Sequence, residues 1–101
     1  MFVFTALECE AKTIINQYKL KKENNWHPFS IYQNDKIILT VTGIGKVAMA
    51  AGVAYTLALF SESTLPILIN VGIAGHKSTA VGGLFVASKV ADEDSGKVFY
   101  P

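Results

Sequence analysis

The sequence contains no arginine and a single cysteine, Cys9. Its nine basic residues are all lysines and stand against eight acids, for a formal net charge of +1. Without clustered basic charge there is no electrostatic footprint for nucleic acid or for an anionic membrane surface. The lone Cys9 excludes an internal disulfide, a paired redox motif and a cysteine zinc pair, and is expected to be a buried spectator in a reducing compartment. Long apolar runs are lacking too. The longest, Val47 to Phe60, is rich in alanine and too short to span a bilayer. The opening Met1-Phe2-Val3-Phe4 lacks the basic flank and cleavage region of a secretory signal. These absences predict a soluble cytoplasmic protein.

What is present suits a packed domain. Half of the 101 residues are hydrophobic, enough for one modest core and too few residues for two. Met1 to Thr5 reads as a buried strand. A helix follows, with Leu7, Ala11, Ile14, Ile15 and Tyr18 on its inner stripe, and it is expected to end near Lys22. Lys21 to Pro28 reads as a loop. Phe29 to Gln33 and Lys36 to Val41 form a hairpin across a two-residue Asn34-Asp35 turn. Lys46 to Phe60 is a second helix whose Val47, Ala51, Ala54 and Ala58 mark its inner face. Pro66 stops it. The uninterrupted Ile67-Leu68-Ile69 run implies a strand covered on both faces, and Leu84 to Val90 a further strand. Strand and helix alternate, so the prediction is one α/β sheet with right-handed crossovers.

In such sheets ligands bind beyond the carboxyl ends of the strands, and three strand-to-turn junctions fall there. The first carries Glu8 and Glu10, which either complement a helix start or, at a cleft, orient or deprotonate a water molecule. The second, Thr42-Gly43-Ile44-Gly45-Lys46-Val47-Ala48, joins a glycine turn to a helix start. Its Gly43-x-Gly45-x-x-Ala48 spacing fits a relaxed dinucleotide fingerprint, but the next strand ends in Asn70 where an acid should hold the ribose. It is not a P-loop either, because no hydroxyl residue follows Lys46. The third junction is Asn70-Val71-Gly72-Ile73-Ala74-Gly75, followed by His76. Asp92-Glu93-Asp94 reads as a solvated loop rather than a metal site, since consecutive acids point apart on an extended chain. Lys46 and Lys77 are expected in solvent. Nothing in these motifs calls for a metal or a cofactor.

Taken in order, Thr5 to Ala11, Thr42 to Ala48, Asn70 to Gly75 and Val81-Gly82-Gly83-Leu84-Phe85-Val86 resemble the motifs of the superfamily of purine and uridine phosphorylases and of methylthioadenosine and adenosylhomocysteine nucleosidases. The resemblance covers nearly the whole chain. It implies a three-layer α/β/α fold with a mixed central sheet, residues 1–101 forming the amino-terminal part of a single domain. It also implies hydrolysis of the N-glycosidic bond of a purine nucleoside, in methionine salvage, by a homodimer or larger homo-oligomer. On the nucleosidase pattern Glu10 holds the attacking water, Ala6, Leu7 and Ile44 line the pocket, and Ile73, Ala74 and Gly75 approach ribose or base. The phosphorylases hold phosphate with arginine forks, which this sequence cannot supply. Two departures stand out. Ile73 replaces a hydroxyl residue common in nucleosidases, and the acids that hold the ribose and protonate the departing base fall in later family segments. The chain therefore reads as truncated. A phosphate-dependent phosphorylase and a noncatalytic nucleoside-binding module remain the alternatives.

Overall fold

The structure, a computed structural model, describes residues 1–62 and 64–101. Its elements run β1 (Phe2–Thr5), α1 (Glu8–Tyr18), β2 (Lys21–Lys22), β3 (Ser30–Gln33), β4 (Ile38–Val41), α2 (Lys46–Phe60), β5 (Leu68–Asn70), β6 (Val90–Ala91) and β7 (Val98–Phe99). The first five strands form one mixed sheet in the order β2-β3-β4-β1-β5. β1 is parallel to both β4 and β5, and β3 is antiparallel to β2 and β4. β6 and β7 form a separate hairpin.

Side-chain alternation divides the sheet into two faces. Val3 and Leu39 are opposite one another in the β1–β4 register and join Ala11, Leu20 and Ile37 in the core beneath α1. Phe4 and Thr40, one residue on, point the other way, where the Thr40 hydroxyl lies 2.8 Å from that of Thr56 on α2. The two helices therefore sit on opposite faces, giving three layers. β1 is buried along its whole length because both faces and both edges are covered. Each buried aliphatic or aromatic side chain here contributes about 1.5–3 kcal/mol.

The structure corrects several local expectations. α1 stops at Tyr18 rather than near Lys22, because Lys19 turns left-handed at φ 53° and Leu20 folds back into the core. Part of the expected 21–28 loop is strand β2, paired with β3. The β3–β4 connection spans residues 34–37 rather than two, because the Asn34 side-chain oxygen accepts from the amides of Lys36 and Ile37, both at 2.8 Å.

α2 presents the opposite face to the one expected. Val47, Ala51, Ala54 and Ala58 are exposed, whereas Gly52 and Thr56 are buried. The cause is local shape. A Cβ at position 52 would collide with the Thr42 methyl and stand 3.0 Å from the Thr42 Cβ, so only glycine allows α2 this close to the sheet. The Ile67–Ile69 run, expected to be covered on both faces, is exposed on an edge strand bonded only to β1. Of the expected Leu84 to Val90 strand, only Val90 enters a strand, as the first residue of β6. Among the described residues, 84–88 find no pairing strand, and β propensity without a partner does not hold a ladder. Cys9 is exposed on α1 rather than buried.

Candidate functional site

The carboxyl ends of β1, β4 and β5 bring the three junctions together. The Thr42 amide donates to the Thr5 carbonyl at 2.9 Å and that of Gly43 to Ala6 at 3.0 Å, joining the first and second junctions. Gly43 and Gly45 lie at φ 94° and 102°, a region that disfavours side-chain-bearing residues, so this turn can run directly into α2 only with glycines. On the other side, the Val71 amide donates to the Phe4 carbonyl at 2.9 Å and carries β5 toward the same point.

Glu10 occupies the meeting place. It is the third residue of α1, and its Oε2 accepts from the amides of Ala6 at 3.0 Å and Leu7 at 2.9 Å. This is half of a capping box, since Leu7 has no side-chain oxygen to return the bond. Its Oε1 accepts from the Ile73 amide at 3.2 Å and lies 3.7 Å from where a Cβ on Gly72 would stand. One carboxylate thus ties the first junction to the third. Each oxygen has two lone-pair directions, so Oε1 can accept a further proton donor such as water.

Glu8 does not share that position. Its carboxylate accepts from the Tyr32 hydroxyl at 3.1 Å, toward β3. Partial burial, then the neighbouring Glu8, push the Tyr32 hydroxyl above its usual range. Of the two acids in the first motif, only Glu10 faces the third junction.

The other expected site residues are distributed unevenly. Ala6, Leu7 and Ile73 touch the Glu10 carboxylate through their amides. Ile44 lies in the glycine turn and Ile73 in the third junction, 78% and 81% exposed, so both leave apolar side chains uncovered. Ala74 and Gly75 are exposed, and a Cβ at Gly75 would meet nothing within 4 Å. His76 is turned to its own loop, where the hydroxyls of Ser78 and Thr79 lie 3.1 and 3.2 Å from its Nδ1. The site is an open ledge. Two clefts of about 500 and 380 Å³ lie elsewhere, one beside Lys19, Lys22 and Asp35 and the other beside Met1, Lys36 and Pro66 at the amino ends of the strands.

Lys46 is the residue whose part was not foreseen. At the start of α2 its ammonium bonds Asp92 Oδ1 at 2.8 Å and also the Asp94 carboxylate, tying the β6–β7 turn to the second junction. The run is largely solvent-exposed, as expected, but Asp92 and Asp94 are also paired with Lys46. Gly96, at φ 75°, closes a turn in which its amide donates to the Asp92 carbonyl, bringing Asp92 and Asp94 onto one side. Lys46 and the Ser95 hydroxyl pull the Asp92 carboxyl down to about 2, while the two acids raise Lys46. The available signal was the turn-forming Asp-Ser-Gly run at 94–96, not the count of acids.

A mixed sheet between two helices, with its glycine turns and Glu10 beyond the carboxyl ends of parallel strands, defines an α/β/α domain. The arrangement is that of the nucleoside phosphorylase superfamily, of which the chain carries the amino-terminal half. Among solved structures it is similar to the 5'-methylthioadenosine/S-adenosylhomocysteine nucleosidase from Neisseria meningitidis, solved in complex with methylthio-immucillin-A. The two are 27% identical, with a TM-score of 0.76 over 92% of this chain and 42% of that one. The chain thus spans less than half the length of this neighbour. No family model matches the sequence, and no curated protein does. Among the described residues, no helix is long and apolar enough to cross a membrane.

Proposed function

We propose that residues 1–101 are the amino-terminal part of a nucleosidase domain that hydrolyses the N-glycosidic bond of a purine nucleoside such as methylthioadenosine or adenosylhomocysteine. The observation that carries the reading is the Glu10 carboxylate, fixed between the first and third junctions with one lone-pair direction of Oε1 free. In this role Glu10 orients and deprotonates the water that attacks the ribose carbon. Three backbone amides hold the carboxylate in place, so little reorganisation is needed when water binds. Ile44, Ile73 and Leu7 supply apolar surface for base and sugar, and the peptide groups of Ala6, Ala74 and Gly75 lie at the rim. Residues 1–101 contain no arginine and so offer no guanidinium fork to hold phosphate, which supports water as the nucleophile provided the rest of the domain supplies none. A homo-oligomer in the cytoplasm belongs to the same reading.

The test is adenine release from methylthioadenosine by the protein as its organism produces it, with and without inorganic phosphate. Release in phosphate-free buffer is expected, falling by at least about 100-fold in E10Q. Strict phosphate dependence, or full activity in E10Q, overturns the hydrolytic reading. One observation favours a second reading, a nucleoside-binding module without chemistry. The same three amide bonds that orient Glu10 also make it a structural clamp. Nucleoside binding with no base release would select that reading.

A further inference from the structure

A carboxylate offers about four acceptor directions, two on each oxygen. In Glu10 those of Oε2 are committed to the amides of Ala6 and Leu7, and one on Oε1 is committed to the amide of Ile73. Whatever Glu10 does beyond clamping the junctions, it does through the last direction on Oε1. We propose that Gly72 is a positioning residue for the hydrolysis, because its lack of a side chain keeps that oxygen within reach of the nucleophilic water. The inference rests on the hydrolytic reading above and adds the residue that governs access to Glu10.

Neither backbone nor packing requires a glycine at this place. Gly72 lies outside the positive-φ region that Gly43, Gly45, Gly82 and Gly96 occupy, so a residue with a side chain meets no such strain there. A Cβ on Gly72 would approach, beyond its chain neighbours and among the described residues, one heavy atom within 4 Å, the Glu10 Oε1 at 3.7 Å. That is an ordinary van der Waals separation, unlike the collision with Thr42 that a Cβ at Gly52 would cause. An alanine therefore fits, and the one group it touches is the oxygen with the spare acceptor direction. A methyl donates no hydrogen bond. Water bound to a carboxylate oxygen sits about 2.8 Å from it and keeps about 3.5 Å from carbon, so a methyl at this distance denies water a cone of about 60° around itself. Alanine in place of a glycine with compatible backbone angles also restricts the unfolded chain and raises stability. Glycine at position 72 forgoes that gain, and what it leaves accessible is the face of Glu10 Oε1.

The experiment compares wild type and G72A in the protein as its organism produces it. Three quantities are read: the thermal midpoint, adenine release from methylthioadenosine in phosphate-free buffer, and rotating-frame cross-relaxation from water to the Ile73 amide. G72A is expected to melt at or above the wild-type midpoint, to keep KM within about twofold and to lose about tenfold in kcat, with a weaker water signal at Ile73. A glycine needed only for the fold would instead lower the midpoint. Full kcat in G72A, a lowered midpoint or failure to fold, or an unchanged water signal at Ile73 each overturns the proposal. Failure of the hydrolytic reading appears separately, as a wild-type protein that releases no adenine without phosphate. The midpoint and the Ile73 signal then still decide whether Gly72 controls the access of water to Glu10.

Discussion

Thr40 and Thr56 are fully buried; the Thr56 hydroxyl donates to the Gly52 carbonyl at 2.8 Å, so its oxygen accepts from the Thr40 hydroxyl, which depends on it. Replacing one partner leaves a hydroxyl without its bond in a site closed to water, whereas replacing both with apolar groups of similar shape removes the demand. T56V is therefore expected to lower stability by about 1–2 kcal/mol, and T40V/T56V to recover most of the loss, measured by urea unfolding. A double variant no more stable than T56V would show that the hydroxyl pair is not what holds α2 here. The same scale separates Glu8 from Glu10. Sequence alone offered both as candidates, because two acids at a helix start look equivalent until the strand beside them is known. Tyr32 on β3 takes Glu8, and Ile73 takes Glu10. Both partners come from distant positions, which local pattern does not reveal.

At the scale of elements, the β6–β7 hairpin is fastened to α2 by exposed charges, so its docking responds to pH. The Asp92 carboxyl is lowered from 3.8 to about 2 when folded. A carboxyl depressed in this way contributes stability above its unfolded value, and the contribution is lost as pH falls from about 4 toward 2. Carboxyl NMR should place the Asp92 midpoint near 2 in the wild type and nearer the ordinary value in K46M. Identical midpoints would remove Lys46 as the cause. Secondary structure was legible where pattern and packing agreed: β1, the body of α1, the β3–β4 pair and the extent of α2 all follow from the residues. The orientation of α2 was not. With Val, Ala, Leu and Met all round, the helix carries no amphipathic stripe to read, and its inward face was set by the close approach of Gly52 to Thr42 and by the threonine pair. Leu84 to Lys89 departs from expectation for the converse reason, since its composition suits a strand but among the described residues no partner strand lies beside it.

For the whole molecule, the uneven distribution of apolar exposure is the feature with most consequence. Ile67, Leu84, Phe85, Val86, Phe99 and Tyr100 are all exposed, and among the described residues β5 is an edge of the sheet. Unpaired strand edges beside apolar surface template association. The chain is expected to self-associate with increasing concentration in sedimentation velocity, and Leu68→Lys, placing a charge on the β5 edge strand, should shift the distribution toward monomer. A wild-type chain that stays monomeric at high concentration would contradict this. The three-layer architecture was legible from the alternation of elements and from the four motifs in order. The openness of the site was not, because exposure depends on what covers a residue rather than on its type.

The central position of β1 also orders events in time. This strand is made before both of its neighbours, Ile38–Val41 and Leu68–Asn70, so its partners arrive only with later segments. The antiparallel β3–β4 pair is local and closes over a short connection, and it can form while β1 waits. Assembly should begin on that hairpin, then recruit β1 with α1, and fix β5 last. The contact between Glu10 and Ile73, which depends on β5, would be among the final ones made and the first to open.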